Sequence, residues 1–266
     1  MTTIADTPKA AFHRTHRAEW IKLRSLRSTW YTLAGLFVAG LAVSALSMTS
    51  SANGYAGLSA AERLAWDPAG LSLVPYIIAQ LIIGVLGTLV VTSEYATGLI
   101  QTSLAATPRR HRLLAAKAVL VAGVAVIAGE ALMFASFFFG QAVLAAHDVP
   151  SAGLGDPGVF AAVAGGGLYL AAIALLATGL SVVLRSTAGA LTTLVAVIFL
   201  APALSATFPS WTRGLFDYWP TQGGAAVMAT VPDPDFPHPW LNFGGMCLGV
   251  AALLAVAFVL FRRRDV

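Results

Sequence analysis

The sequence predicts an all-α polytopic membrane protein with six transmembrane helices, and three observations lead to that fold class. First, 58% of the residues are hydrophobic and 11% are charged, whereas soluble globular domains carry about 25% charged residues. Second, several apolar runs reach the roughly 20 residues that a helix needs to cross a bilayer. These runs are continuous rather than alternating, which excludes a membrane β-barrel. Third, basic residues gather at the ends of the runs, as they do beside membrane helices.

Residues 1–28 form a polar, basic tail that we expect to end in an amphipathic helix at the membrane interface. Leu23, Leu26 and Trp30 lie at helical spacing, with arginines on roughly the opposite side. Such a helix suits the interface, with Trp20 at the depth of the lipid headgroups. A disordered basic tail is the alternative.

Six apolar segments follow, separated by stretches that contain turn-forming residues. We predict spans at about 29–48, 72–91, 113–135, 159–184, 188–207 and 240–261. Pro202 is expected to kink or break the far end of the fifth span, because proline has no N–H to donate. Residues 262–266 form a short basic tail. No soluble domain remains, so we interpret residues 1–266 as a single transmembrane domain.

Lysine and arginine predict the orientation, because the cytoplasmic flanks of membrane helices are enriched in both. With the N-terminus inside, fourteen of the sixteen basic residues fall on the cytoplasmic side, and only Arg63 and Arg213 fall outside. We therefore expect both termini in the cytoplasm. The basic residues lie beside apolar runs, which indicates a membrane surface as their partner rather than nucleic acid.

A polar, basic interruption, Thr92–Lys117, separates the second and third spans. It starts with an acid, Glu94, and continues with a mostly uncharged segment, Gly98–Thr107, that can form about two helical turns. Pro108 follows and suits a turn or the first position of a new helix. Three arginines come next. A loop between two membrane helices needs only a few polar residues, so this one is predicted to contact another molecule.

The segment Phe208–Pro239, between spans five and six, is the second unusual stretch. It is rich in aromatic residues and proline, and its apolar patch, Gly223–Val231, is too short to cross a bilayer. Aromatic side chains favour the membrane interface. We therefore predict an interfacial or re-entrant cap.

Motifs for covalent chemistry are sparse. The pattern G-x-x-x-x-G-K-[ST] does not occur in the sequence, so the chain has no P-loop to hold ATP phosphates. Gly165–Gly167 lies in an apolar run without a following lysine, and close helix packing explains it better than phosphate binding. The single cysteine, Cys247, and five scattered histidines show no metal-ligand spacing. We expect no catalytic, cofactor or metal site.

Glu130 is the one acid well inside a predicted span. A charged side chain at the bilayer centre costs about 2.5–3.5 kcal/mol on insertion scales, so it is a candidate for function. It could line a substrate path or bind a neighbouring helix. A structural role for a protonated or hydrogen-bonded carboxyl group is the alternative. An ion-coupled carrier normally needs several such groups.

Three stretches resemble the membrane-spanning subunit of type-2 ABC exporters, in particular actinobacterial permeases related to drug, antibiotic and lipid exporters. Arg17–Thr29 (RAEWIKLRSLRST) looks like the elbow helix that precedes the first span. Glu94–Lys117 (EYATGLIQTSLAATPRRHRLLAAK), the most specific of the three, looks like the loop between spans two and three. Tyr218–Ala226 (YWPTQGGAA) is similar to the segment before the last span, although Trp219 stands where a leucine is expected before the proline.

The resemblance implies a non-catalytic permease subunit of an ATP-driven exporter that forms a path for a hydrophobic or amphipathic substrate. It implies two permease copies, identical or paralogous, in a bacterial plasma membrane, above two P-loop ATPase chains that bind ATP and Mg²⁺. The region Gly98–Thr107 would be the coupling helix that docks on the ATPase. The candidate residues of this coupling loop are Glu94, Gly98, Gln101, Leu104, Pro108, Arg109 and Arg110. Glu130 is the candidate for the substrate path. The candidates for an outer gate or re-entrant segment are Trp219, Pro220, Gly223 and Gly224.

Two other classes of function stay open from the residues alone. A membrane-embedded enzyme or assembly factor would bring polar residues together at one depth. An ion-coupled carrier would depend on an ion gradient and not on ATP.

Overall fold

The structure is a computed structural model that describes residues 8–106, 110–231 and 233–263. Every regular element in these ranges is helical, which confirms the predicted all-α class. The α-helices are α1 (Pro8–Ser25), α2 (Arg27–Gly54), α3 (Ala60–Leu64), α4 (Pro68–Leu73), α5 (Tyr76–Ala96), α6 (Leu99–Ala106), α7 (Arg110–Ala146), α8 (Val159–Leu184), α9 (Thr187–Val195), α10 (Ala201–Ala203), α11 (Arg213–Phe216) and α12 (Pro239–Arg263). Two π-helical turns, Ala196–Leu200 and Pro220–Gly224, lie in the second half of the chain.

Five helical segments in the described ranges are long and apolar enough to cross a membrane. They are Arg27–Gly57, Pro68–Ala96, Arg110–Ala146, Val159–Leu184 and Pro239–Arg263. Where the sequence predicts the fifth span, the structure has a shorter apolar helix, Thr187–Ala203. A helix of that length reaches about 25 Å, slightly less than the roughly 30 Å of a bilayer core. The multi-pass membrane protein is therefore confirmed, and the count of six spans stays a prediction.

Helix α8 lies at the centre of the bundle, where it packs against α5, α7 and α12. Small residues bring the helices close together: a methyl group at Gly129 on α7 would lie 3.0 Å from the carbonyl oxygen of Gly167 on α8. Gly165 and Gly166 make room in the same way for Val227 and Met133. The three successive glycines of α8 therefore serve helix packing, as their apolar context indicates.

The bundle has two distinct ends. At one, which we call the α1 end, the last turn of α5, α6 and the first turns of α7 meet the ends of α8 and α12. A buried apolar cluster joins them: Val91, Ile100, Leu113, Leu114, Val182, Ala257 and Phe261. At the other, which we call the α4 end, α4 meets the loop before α8, where Gln141 on α7 donates to the carbonyl of Pro68 at 2.9 Å and accepts from the N–H of Ala152 at 2.8 Å.

The first helix differs from the sequence prediction in one respect. Leu23, Leu26 and Trp30 do not share a face, because α1 ends at Ser25 and Leu26 has an extended backbone (φ −80°, ψ 123°). Leu23 is buried, whereas Leu26 and Trp30 are exposed. The indole N–H of Trp30 donates to the carbonyl of Arg24 at 2.9 Å and so bridges the break.

Candidate functional site

Four charged side chains from three helices meet at the α1 end. Lys117 on α7 donates to Oε2 of Glu19 on α1 at 2.6 Å and to Oε1 of Glu94 on α5 at 2.7 Å. Its third hydrogen bond goes to the carbonyl oxygen of Val90, one turn before Glu94, at 3.2 Å. Lys22 on α1 donates to Oε1 of Glu19 at 2.8 Å and to Oε1 of Glu94 at 3.0 Å. We call Glu19, Lys22, Glu94 and Lys117 the ion network.

The ion network is charge-balanced and mostly buried. Glu19, Glu94 and Lys117 are buried, while the side chain of Lys22 is 45% exposed. Burial disfavours the ionised carboxyl of Glu19, but the charges and hydrogen bonds of Lys117 and Lys22 together outweigh it, so the pKa of Glu19 lies below its ordinary value. Burial likewise opposes the charge on Lys22, but its hydrogen bonds to the two carboxylates raise its pKa. Removing one partner of such a network would leave a buried charge uncompensated.

Local sequence explains how α1 presents its two members of the network. Glu19 and Lys22 are three residues apart on α1, so they share a face. Sequence reasoning identified Glu94 and missed the other three. A signal was present: Lys117 is a lone cation in an apolar run, and a buried cation needs an acid as its partner.

Helix α6 is attached to the bundle next to this network. Gly98 separates α5 from α6 and has a φ of +70°, a conformation that favours glycine. Ile100 is 4% exposed and belongs to the buried cluster of the α1 end, whereas Leu99 is 55% exposed and Gln101 is also exposed. The first turn of α6 is therefore anchored through Ile100, while the neighbouring Leu99 and Gln101 are exposed.

The remaining predicted coupling-loop residues are only partly described. Arg110 is the first residue of α7. Leu104 lies on α6, but its side chain is outside the described part of the structure. Pro108 and Arg109 lie outside the described residues altogether.

Near the π-turn Pro220–Gly224, Trp219 and Thr221 bind carbonyl groups that a proline leaves without helical donors. Pro202 has no N–H. It therefore cannot donate to the carbonyl of Ile198, four residues earlier as in an α-helix, or to the carbonyl of Val197, five residues earlier as in a π-helix. The indole of Trp219 donates to the carbonyl of Val197 at 2.6 Å, and the hydroxyl of Thr221 donates to that of Ile198 at 2.8 Å. Two side chains that follow α11 thus supply the hydrogen-bond donors that the helix Thr187–Ala203 lacks because of Pro202.

Pro220, Gly223 and Gly224 are buried within this π-turn. A side chain at Gly223 would collide with the carbonyl of Asp217, and one at Gly224 would lie 2.5 Å from the sulfur of Met246 on α12. These glycines are required by close packing.

A contact that the sequence did not predict joins the segment before α12 to the α4 end. Asp67 accepts a hydrogen bond from the N–H of Gly70 at 2.8 Å and so caps α4. The same carboxylate accepts the hydroxyl proton of Thr230. The segment before α12 is thereby joined to the start of the second predicted span.

Glu130 is far from the ion network. It lies 13 residues after Lys117 on α7, which corresponds to about 20 Å along the helix axis. Its carboxylate faces Gly167 of α8, where a methyl group would lie 2.6 Å from Oε1. Oε2 of Glu130 is buried and has no hydrogen-bond partner in the part of the chain that the structure describes.

Two cavities accompany these features. An apolar groove of about 910 Å³ runs between α8, the π-turn and α12, with Tyr218, Trp219 and Trp240 among its wall residues. A smaller cavity of about 250 Å³ lies beside the ion network between α1 and α5. The two differ in character, since aromatic and aliphatic side chains line the first and charged residues line part of the second.

Comparison with known protein families identifies a match. The sequence model of the family described as ABC-2 family transporter protein matches residues 16–203, well over half of the chain. This region includes the ion network, α6 and Glu130, and it ends before the π-turn at Pro220. A search of the curated proteins found no match.

Proposed function

Because the chain belongs to the ABC-2 family of transporter proteins, we propose that it is the permease subunit of an ATP-driven exporter that couples through α6 to a separate P-loop ATPase. The observation that carries the proposal is the attachment of α6. Its Ile100 is fixed in the buried cluster while Leu99 and Gln101 point outward. A short helix whose first turn is both anchored to the bundle and partly exposed suits docking on a partner chain.

In this proposal both termini and the α1 end face the cytoplasm of a bacterial plasma membrane, and the helix Thr187–Ala203 is the fifth of six spans. The distribution of lysine and arginine supports this orientation. The hydrogen bonds from Trp219 and Thr221 support an arrangement in which a re-entrant segment packs against the outer end of the short fifth span and supplies the donors that it lacks. Trp219, Pro220, Gly223 and Gly224 would then form an outer gate.

The ion network gives the coupling a physical route. The ATPase would bind ATP and Mg²⁺, close, and displace α6. The network joins α5 and α7, which flank α6, to α1, so these three helices would move together and not independently. Coupling requires that the contacts of α6 differ between the open and closed ATPase. The permease itself would need no catalytic residue and no cofactor.

The substrate path would lie between this chain and a second permease copy and would take a hydrophobic or amphipathic molecule. The apolar groove of about 910 Å³ supports that substrate class. Glu130 is the polar group that we assign to the path, because an unpaired carboxylate oxygen in a membrane span is costly unless a ligand or a proton satisfies it.

The test is co-purification of the tagged chain from its native membrane, with the exposed face of α6 altered. We expect the native chain to retrieve a P-loop ATPase and to stimulate ATP hydrolysis. The double variant Leu99→Asp, Gln101→Lys should insert normally but retrieve at least about tenfold less ATPase, the change that roughly 1.4 kcal/mol of lost binding produces.

The matched control is Leu64→Asp, which places the same charge on an exposed leucine of α3, away from α6. It should retrieve as much ATPase as the native chain. Transport by the purified chain without any ATPase, or equal ATPase retrieval by all three proteins, would contradict the proposal.

A further inference from the structure

Helix α1 has two faces of different character. Glu19 and Leu23 are buried against the bundle. The side chains on the opposite side of the helix are exposed and follow the i, i+3, i+4, i+7 spacing of a single face: Arg17, Trp20, Ile21 and Arg24. We call these four residues the arginine face. The side of α1 that leaves the bundle is therefore its basic face and not the leucine face that the sequence spacing predicts.

The arginine face carries positive charge that its own helix does not neutralise. Glu19 is the single acid in the sequence of Pro8–Ser25, and both of its oxygens are bound by lysines of the ion network. Arg17 and Arg24 form no ion pair with other residues in the part of the chain that the structure describes. The ion network balances its own charges, so the charge of the two arginines is left for a partner.

The break between α1 and α2 determines the depth of this face in the membrane. Trp30 lies in the first turn of α2, the first predicted span, and its indole N–H donates to the carbonyl of Arg24 at 2.9 Å. Trp30, like Trp20, is exposed. Because indole rings favour the membrane interface, this contact places the end of α1 at the headgroups. In the proposed orientation these are the headgroups of the inner leaflet.

The composition of the arginine face matches the layers of a membrane surface. Trp20 and Ile21 lie between the two arginines along the helix. Apolar side chains of an interfacial helix enter the boundary between headgroups and acyl chains, while arginine side chains extend to the phosphates above them. A zwitterionic headgroup brings its own cation to its phosphate, whereas an anionic headgroup does not. The charge of the face therefore favours an anionic lipid.

We propose that the arginine face of α1 binds anionic phospholipids of the inner leaflet, with Arg17 and Arg24 on the phosphates and Trp20 and Ile21 at the acyl boundary. The opposite side of the same helix holds Glu19 in the ion network, so a bound lipid would fix α1 where it meets α5 and α7. The proposal goes beyond export, since it concerns the lipid around the chain whatever the substrate.

The test compares binding of phosphatidylglycerol and phosphatidylcholine, with identical acyl chains, to the purified full chain. Native mass spectrometry at equal concentrations of the two lipids counts the bound molecules. An arginine near an anionic surface strengthens binding about fivefold, so the native chain should prefer phosphatidylglycerol by roughly tenfold or more. The double variant Arg17→Gln, Arg24→Gln should lower this preference about tenfold. Both positions are exposed, so glutamine is compatible with the fold.

The matched control removes the same charge elsewhere on the same side of the membrane. Arg262→Gln, Arg263→Gln changes two exposed arginines in the last turn of α12 and should keep most of the preference. Equal losses in the two double variants would mean that the preference follows the net charge of the chain, and would overturn the proposal. Equal binding of the two lipids by the native chain would overturn it as well.

A fluorescence measurement tests whether the contact lies on α1. Bromine atoms on an acyl chain quench the fluorescence of indole rings that they touch. Brominated phosphatidylglycerol should quench the native chain more than brominated phosphatidylcholine does, and this difference should shrink in Trp20→Phe. An undiminished difference in Trp20→Phe would place the anionic lipid away from the arginine face and would contradict the proposal.

A protein partner is the competing occupant of the arginine face. If the native chain shows no lipid preference and the variant Arg17→Gln, Arg24→Gln retrieves less ATPase than the native chain, the face docks on protein and the proposal fails. The lipid measurements use the permease chain alone and do not depend on transport. The lipid site can therefore fail while the exporter assignment stands, and the reverse.

Discussion

Lys117 lies 2.6 Å from Glu19, although 98 residues separate the two in the chain. Their contact ties the helix before the first span to the third predicted span, and Glu94 ties the second span to both. Because these charges are buried, the network is expected to be sensitive to any imbalance between positive and negative members.

We predict that Lys117→Met destabilises the chain by about 3–5 kcal/mol, because two buried carboxylates would lose their common partner. Lys22→Met should cost clearly less, since the side chain of Lys22 is 45% exposed and water can replace it. Chemical unfolding of the purified chain in detergent measures both. Restoring balance with Lys117→Met, Glu19→Gln should recover part of the loss. Equal destabilisation by the two single lysine variants would contradict this account.

The pH dependence of stability should follow Glu19. Its pKa is lowered in the folded chain from an ordinary value of 4.5, so the folded state favours the ionised form. The resulting stabilisation is complete above the ordinary pKa and is lost as the pH falls through the lowered one. We expect the melting temperature to change little between about pH 8 and 6 and to fall below about pH 4.5. Glu19→Gln should melt lower at neutral pH and show a smaller acid-dependent decrease, and an unchanged acid profile would refute the assignment.

The sequence predicts the helices well and the contacts between them poorly. Continuous apolar runs predicted α5, α7 and α8, because the backbone N–H and C=O groups of a segment in lipid must bond to each other, which a helix allows. The partners of Lys117 could not be read from the chain, since they depend on how three helices pack. The end of the fifth predicted span was expected at Pro202, and the helix does end at Ala203. The donors that replace the missing N–H, on Trp219 and Thr221, could not be predicted because they depend on tertiary packing. Glycines at 223 and 224 were singled out by resemblance, and packing gives their physical reason.

Packing at Glu130 gives a third prediction. Gly167→Ala should cost about 1–3 kcal/mol, because the new methyl group would collide with the Glu130 carboxylate. In a Glu130→Ala background the same change should cost much less. The control is Gly123→Ala on α7, where nothing lies within 4 Å of a new methyl group, so alanine should be neutral or slightly stabilising there. The unfolding free energies of the native chain, the two single variants and the double variant give the coupling energy. Additive effects would show that residues 130 and 167 are not in steric conflict.

The last prediction concerns the hydrogen bond from Thr221 to Ile198. Thr221→Val should destabilise the chain by about 1–3 kcal/mol, because the carbonyl of Ile198 then keeps neither a helical donor nor a side-chain donor. Pro202→Ala would return an N–H four residues after Ile198, so the cost of Thr221→Val should shrink in that background. Thr207→Val, which removes an exposed local hydrogen bond to the carbonyl of Leu204, serves as the control and should have little effect in either background. A double-mutant cycle on unfolding free energies measures the coupling between Pro202 and Thr221. A coupling energy near zero would mean that the carbonyl of Ile198 finds another donor, and that Thr221 does not help to hold the segment Pro220–Gly224 to the fifth predicted span.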